Sequence, residues 1–274
     1  MAEVRVGVSG WRYRSWRGDF YPPGLPQRRE LAYVASRMTS VELNGSFYSL
    51  QRPSTYLRMV EETPPGFVIA VKGGRFITHF TRLAGGVAPQ ANFWASGVLG
   101  LGDRLGPVLW QLPADLRFEP ERLVPFFELL PRSTTAAARL TARHDDKLSG
   151  DRVLLTTDAD RPIRHVLEPR HPSFGSPEAE ALLREHDIGM VLSDSPTWPC
   201  FDTVTSDLVY VRLHGHTELY ASGYAARSLD RWAARAREWV LAGLDVPIYF
   251  DNDARGRGPH DAVALLSRLR GSRD

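Results

Sequence analysis

Glu168-Pro169-Arg170-His171 packs a carboxylate, a guanidinium and an imidazole into one short segment, enough for a proton carrier, an anion clamp and a second proton carrier. Groups of the same kinds recur along the chain, each at the end of an apolar run. Lys72 closes residues 67–72 and offers a compact, titratable ammonium that a guanidinium does not imitate. Arg212 and His214 lie two apart at the end of 208–214, Asp194 follows 189–193, Gln111 ends 108–111 and Asn252 ends 247–252. Glu42 and Asn44 lie two apart in 40–44, so strand alternation puts both on one face. If that face is interior, Glu42 needs Arg or Lys from a neighbouring strand, because an unpaired buried charge is very costly. A structural ion pair and a catalytic acid are both open for it. In the first loop, Trp11 and Tyr13 stand among Arg12, Arg14 and Arg17, and aromatic faces beside guanidinium groups suit flat ligands. Trp16, Phe20 and Tyr21 of the same loop are expected to plug the mouth of the barrel.

These groups need elements to position them. With 5–9 and 165–168 added, the runs above make eight, and each stops at a polar or aromatic group. Strands loaded at their C-terminal ends are the pattern of a parallel barrel whose site lies at one end. Helical patterns alternate with them. Residues 28–38 place Leu31, Val34, Ala35 and Met38 on one face, and Ser176-Pro177-Glu178 supplies an N-cap, a first-position Pro and a first-turn acid. Two more helices are predicted over 228–241 and 259–270. The expected fold class is therefore α/β, a TIM-type (β/α)8-like barrel, with residues 1–274 as a single domain. An inserted segment of about 133–164 is expected between strands 4 and 5, an Ala-rich helix followed by the charged, solvated excursion TARHDDKLSGDR. Residues 194–207, interrupted by Pro196, Trp198 and Pro199, predict a loop over the site.

Composition excludes several classes. A net charge of +2 gives no global field for a polyanion or an anionic membrane. Lys72 and Lys147 are the only lysines among 34 basic residues, and Asn44, Asn92 and Asn252 are the only asparagines. Where Lys or Asn survives so strong a bias, its distinct hydrogen-bonding chemistry is a candidate reason. The lone Cys200 excludes an internal disulfide and fits a reducing compartment. No leader pattern precedes the first strand and no apolar run approaches a bilayer span, so a cytoplasmic protein without membrane contact is expected. No dinucleotide or P-loop fingerprint, H-E-x-x-H or G-x-S-x-G elbow occurs, so no cofactor is indicated. Glu168, His171, Asp194 and His214 could converge on a divalent metal, but their spacing carries no metal specificity.

At these residues the chain resembles the YecE-like family, a domain-of-unknown-function family. The matching pieces are GVSGWRYRSWRGDFYP, SVELNGSFYSLQRPSTYLRM, GFVIAVKGGRFITH, LGPVLWQLP, LEPRHPSF, DSP, VYVRLHG and IYFDN, in order from residue 7 to 252. The resemblance implies a TIM-barrel-like fold and a polar pocket at the strand C-termini, and it supplies no established reaction. Phe174, Pro169 and Asp251 depart from the residues usual at their places in that pattern, and the 133–164 segment is longer than in compact relatives.

The leading expectation is an enzyme, of hydrolase or lyase type, acting on a phosphorylated or otherwise anionic substrate such as a nucleotide or nucleic acid. Glu168 would be the general acid/base, Lys72 and Arg170 the anion clamp, His171 and His214 proton carriers beside Asp194, and Trp11 and Tyr13 a stacking surface. Glu42, Asn44, Gln111, Arg212 and Asn252 complete the expected substrate contacts. One alternative is a non-catalytic binder of nucleic acid or a small anionic metabolite. Another is a carbohydrate hydrolase pairing Glu42 with Glu168.

Overall fold

The computed structural model describes residues 2–271. The apolar runs become strands, in chain order β1 (Val4–Val8), β2 (Ser40–Leu43), β3 (Val68–Lys72), β4 (Leu105–Gln111), β5 (His165–Glu168), β6 (Ile188–Met190), β7 (Leu192–Asp194), β8 (Val211–Leu213) and β9 (Val246–Phe250). Between them lie α1 (Glu30–Arg37), α2 (Gly45–Tyr48), α3 (Pro53–Glu61), α4 (Val87–Ala95), α5 (Pro120–Glu128), α6 (Thr134–Thr141), α7 (Pro177–Glu185), α8 (Ala226–Leu241) and α9 (Arg257–Arg270). Hydrogen bonding orders one sheet as β1-β9-β8-β7 and the other as β2-β3-β4-β5-β6. The pairs β1–β9, β3–β4, β4–β5, β7–β8 and β8–β9 are parallel. Every residue of β2, β5 and β9 is buried, as parallel strands covered on both faces require. The fold is α/β of the TIM type expected, with sequential strand order and β1 beside the last strand.

The predicted sixth strand is the instructive difference. Its continuous apolar run breaks at Val191 into β6, beside β5, and β7, beside β8. Around the break the backbone finds other partners: the Thr205 hydroxyl takes the Met190 N–H at 2.7 Å, and the Tyr210 carbonyl takes that of Leu192 at 2.9 Å. Hydropathy sees neither acceptor.

Two compact units make up the chain, Met1–Glu42 with Gly189–Asp274, and Leu43–Ile188. In the first, α9 packs on β1 and α8. Gly7 lets β1 approach β2, since a Cβ there would stand 2.1 Å from the Ser40 carbonyl oxygen. Trp16, Phe20 and Tyr21 are buried against one another, with the Trp16 centroid 5.7 Å and 5.8 Å from the other two, so they serve as core packing.

In the second unit, Trp110 of β4 stacks on His165 of β5 and donates to its Nδ1 at 3.1 Å, while His165 Nε2 meets the Pro131 carbonyl at 2.9 Å. Complete burial holds this imidazole neutral, with its pKa pushed down to about 3. The segment between β4 and β5 carries α5 as well as α6. The charged excursion is tied down rather than merely solvated: Asn92 of α4 donates to Asp145 Oδ1 at 2.9 Å and accepts the Asp145 N–H at 3.0 Å, and Leu148 is buried. Ser176 caps α7 through the Ala179 N–H at 3.2 Å, as its sequence predicts.

Immediately after β3, Gly73 lies against the Trp110 ring, where a Cβ would fall 2.2 Å from Cε3. Gly73→Ala must displace a packed indole, and is expected to destabilise by about 2 kcal/mol in urea denaturation.

Candidate functional site

Chemistry-bearing groups gather separately in each unit. In the first, Arg212 of β8 is fully buried and meets Glu42 of β2, also fully buried, through Nη2–Oε1 at 2.8 Å and Nε–Oε2 at 3.1 Å. Ser9 Oγ donates to Glu42 Oε1 at 2.5 Å and Tyr210 OH to Oε2 at 2.6 Å, so each carboxylate oxygen has two donors. Arg212 supplies the cationic partner that the alternation of 40–44 demanded. Its Nη2 also reaches Asp251 Oδ2 at 2.9 Å, and Asp251 stands 3.0 Å from His214 Nδ1.

Beside this lattice lies Asp253, half-buried and close to Tyr13, whose hydroxyl donates to the Ser9 carbonyl at 2.7 Å. Burial first, then the charge of Asp251, raises the Asp253 carboxyl to about 6; Tyr13 and Arg212 oppose the shift. Burial and the same two aspartates push the Tyr13 phenol upward.

Several expected site residues of this unit are committed to the fold. His214 is fully buried, its ring 4.9 Å from Trp198 and 5.7 Å from Tyr220, so the loop of 195–207 does cover it. Trp11 is buried and its carbonyl accepts Tyr21 OH at 2.6 Å, so it offers no open stacking face. Asn252 donates from Nδ2 to Asp261 at 2.8 Å and to the Ser222 carbonyl at 2.9 Å, which pins a loop to α9. Asp194, half-buried at the end of β7, meets His216 Nδ1 at 3.1 Å. It lines a cleft of about 240 Å³ with Ser228, Arg231, Trp232 and Arg235.

In the second unit three strand ends lie side by side, and His214, expected beside them, belongs to the first unit. β4 and β5 are in register with Gln111 opposite Glu168, and Lys72 pairs with Leu109. Glu168 is fully buried and Arg170 Nη2 lies 3.2 Å from its Oε1. Lys72, 9 % exposed, holds Nζ 4.4 Å above the Phe47 ring. Between these groups stands His79, half-buried, its Nδ1 2.8 Å from Thr78 Oγ1, its Nε2 approached by the Gln111 amide at 3.5 Å, its ring 5.2 Å from Phe47. Burial, then the charges of Lys72 and Arg170, depress its pKa, against a smaller opposing pull from Asp115.

His171 does not join them through Nδ1. That nitrogen accepts the Ser173 N–H at 3.1 Å and lies 2.9 Å from Ser173 Oγ, capping the turn of Pro172–Phe174. Asn44 precedes α2, where its carbonyl accepts the Phe47 N–H at 3.1 Å. Among the described residues, no three His, Cys, Asp or Glu side chains are arranged to hold a metal ion, so Glu168, His171, Asp194 and His214 do not form the ligand set that was open from sequence.

Sequence reasoning passed over Ser9, Tyr210 and Asp253, noted Asp251 at a strand end without giving it a role, and gave His79 only an intermediate claim. Asp251 carried the one usable signal, a strand-end carboxylate. Asp253, two residues further on, and His79, seven beyond Lys72, lie in loops whose path no periodicity foretells.

A family model described as "Protein of unknown function DUF72" matches residues 5–274. A curated relative, "UPF0759 protein YunF" of Bacillus subtilis (strain 168), is 32 % identical over 82 residues, 29 % of this chain. That alignment spans only 27 % of the relative's own length. A solved DUF72 family protein from Thermotoga maritima MSB8 superposes with TM-score 0.75 at 23 % identity, over 97 % of this chain and 99 % of that one. Another from Enterococcus faecalis V583 gives TM-score 0.74 at 15 % identity, over 99 % and 97 %. At these identities the solved structures speak for the fold alone.

Two stability measurements test the first unit's lattice. Glu42→Gln or Arg212→Met alone should cost about 3–5 kcal/mol in urea denaturation, while the double variant should recover much of that loss. Asp253 works in the opposite sense. Its folded-state carboxyl holds a proton that the unfolded chain releases at lower pH, so it weakens the fold as pH rises towards and through about 6. Asp253→Asn should therefore match the wild type near pH 4 and gain up to about 3 kcal/mol at pH 8.

Proposed function

This chain belongs to the DUF72 family, and we propose that it is an enzyme acting on a phosphorylated or otherwise anionic substrate at the strand ends of its second unit. The observation that carries the reading is the pair of cations, Lys72 and Arg170, acting together on the half-buried imidazole of His79. Two largely desolvated positive charges beside a neutral imidazole form a place where an anion is favoured and a base is ready at neutral pH. Lys72 and Arg170 clamp the anionic group. His79 takes a proton from the attacking water in the hydrolase form of the reaction, or from the substrate carbon in the lyase form. Glu168, fully buried against Arg170, orients that guanidinium, and this replaces the general acid/base role expected for it. The narrower YecE-like assignment is part of the proposal and rests on the order of the motifs from Gly7 to Asn252.

The same cations would serve a protein that binds an anion without turning it over, and turnover separates the two readings. The carbohydrate-hydrolase alternative is less favoured, because it needs Glu42 as an available carboxylate and four donor contacts already converge on its oxygens. No helix among the described residues is long and apolar enough to cross a membrane.

Calorimetric titration with inorganic phosphate should show binding that Lys72→Ala and Arg170→Ala each weaken about 10- to 100-fold. Chromogenic phosphomonoesters and phosphodiesters then test for hydrolysis. The acidic limb of its pH profile is expected below the ordinary histidine range, because His79 stays neutral to lower pH, and His79→Asn should abolish that limb. Phosphate binding unchanged in both cation variants would overturn the proposed site.

A further inference from the structure

Large aromatic rings belong in cores, and a cluster of them facing water marks a recognition surface more often than an accident. Among the described residues, the exposed aromatic side chains are Tyr48 at 64 %, Phe76 at 48 % and Phe80 at 67 %, and all three belong to one patch of the second unit. Arg75 joins two of them, its guanidinium 5.7 Å from the Tyr48 centroid and 5.5 Å from that of Phe80. Phe76 lies 6.4 Å from Phe80 and carries Lys147 Nζ at 5.2 Å, although that ammonium also stands 3.7 Å from Asp145.

The strip continues inward. Tyr48 meets Phe47 at 5.2 Å, and Phe47 carries Lys72 on its face and His79 at its edge. From Lys147 to Lys72 the order is cation, ring, ring, cation, ring, ring, cation, without a gap. Backbone geometry presents it: Phe76–Phe80 is a π-helical turn, closed by Thr81 N–H to the Phe76 carbonyl at 2.9 Å. Such widened turns are rare and concentrate at functional sites. The next two residues, Arg82 and Leu83, hold positive φ of 48° and 70°, a strained conformation for non-glycine residues.

We infer that this strip of Tyr48, Arg75, Phe76, Phe80 and Lys147 binds single-stranded nucleic acid, unpaired bases stacking on the rings and phosphates meeting the cations between them. Every base has a π-face, so stacking platforms interleaved with cations recognise unpaired strands with little regard to sequence. A duplex hides those faces. A purely apolar partner would leave Arg75 and Lys147 unsolvated, and a small anion would not use the rings. The inference rests on the reading above at its inner end, where the strip reaches the Lys72–Arg170 clamp, and it names the polymer class that would enter there.

The test is fluorescence anisotropy of the full chain with a labelled oligothymidylate of about twenty nucleotides, alongside a duplex of equal length. Binding should favour the single strand and fall steeply with salt. Tyr48→Ala and Phe80→Ala should each weaken it about tenfold without changing the melting temperature, and Arg75→Gln should lower the salt slope by about one. Binding by the Tyr48→Ala/Phe76→Ala/Phe80→Ala protein equal to wild type would overturn the inference. Equal affinity for the duplex would do so too, as would capture by phosphatidylserine vesicles with no oligonucleotide binding. Phosphate titration of the same proteins separates the two readings. Phosphate bound but no oligonucleotide removes the platform alone. Oligonucleotide bound through the rings but insensitive to Lys72→Ala removes the clamp alone.

Discussion

Desolvated charge at strand ends is the constraint around which this protein is organised. Arg212, fully buried, faces Glu42 and Asp251 at 2.8 Å and 2.9 Å. Such a pair gives little net stability over an apolar substitute of the same shape, yet losing either member leaves a bare charge in a dry place. The structure answers with a full set of donors: Ser9, Tyr210 and two guanidinium nitrogens on one carboxylate. Those contacts tie β1, β2 and β8 together by geometry as well as by packing. The lattice carries an imbalance as well, because Asp251 and Asp253 press on each other. Burial, and after it the charge of Asp251, hold the Asp253 carboxyl up at about 6 against a smaller pull from Arg212.

The second unit handles charge differently. Lys72 rests its ammonium on the face of Phe47, an arrangement worth more when water is partly excluded. Arg170 is held by a fully buried carboxylate, which fixes the direction of its fork. Neither contact removes the positive field at His79, where both cations are felt. The first unit gathers its buried charges into one lattice around Glu42 and Arg212. In the second, both cations act on a titratable ring, and the functional proposal rests there.

Much of this was legible in the sequence. Strand-end placement of Lys72, Gln111, Glu168 and Asp194 follows from where the apolar runs stop, since a parallel strand buried on both faces shows its length in hydropathy. The need of Glu42 for a cation followed from alternation alone. What stayed hidden belongs to loops and to single hydrogen bonds. The break at Val191 depends on a threonine hydroxyl fourteen residues beyond it in the chain. His171 looked like a proton carrier because its type and neighbours fit, and only the Ser173 N–H reveals a cap. Trp11 looked like a stacking face, but among the described residues the exposed rings are Tyr48, Phe76 and Phe80, which lie outside the arginine-rich loop.

The scarce lysines and asparagines bear on the same point. In a chain biased this strongly towards arginine, each retained residue can be asked what its replacement would lack. Asn92 gives an N–H to Asp145 and takes one from its backbone, and Asp in its place would repel that carboxylate. Asn252 donates from one amide nitrogen to a carbonyl and a carboxylate together, which no acidic side chain does. Lys72 sets a compact charge on one ring in a space 9 % open, where a planar guanidinium would need a wider slot and further acceptors. Lys147 stands over Phe76 at the far end of the same strip of rings. Both lysines thus sit on aromatic faces at its two ends. That placement ties the bias in composition to the proposed surface more closely than to the stability of either unit.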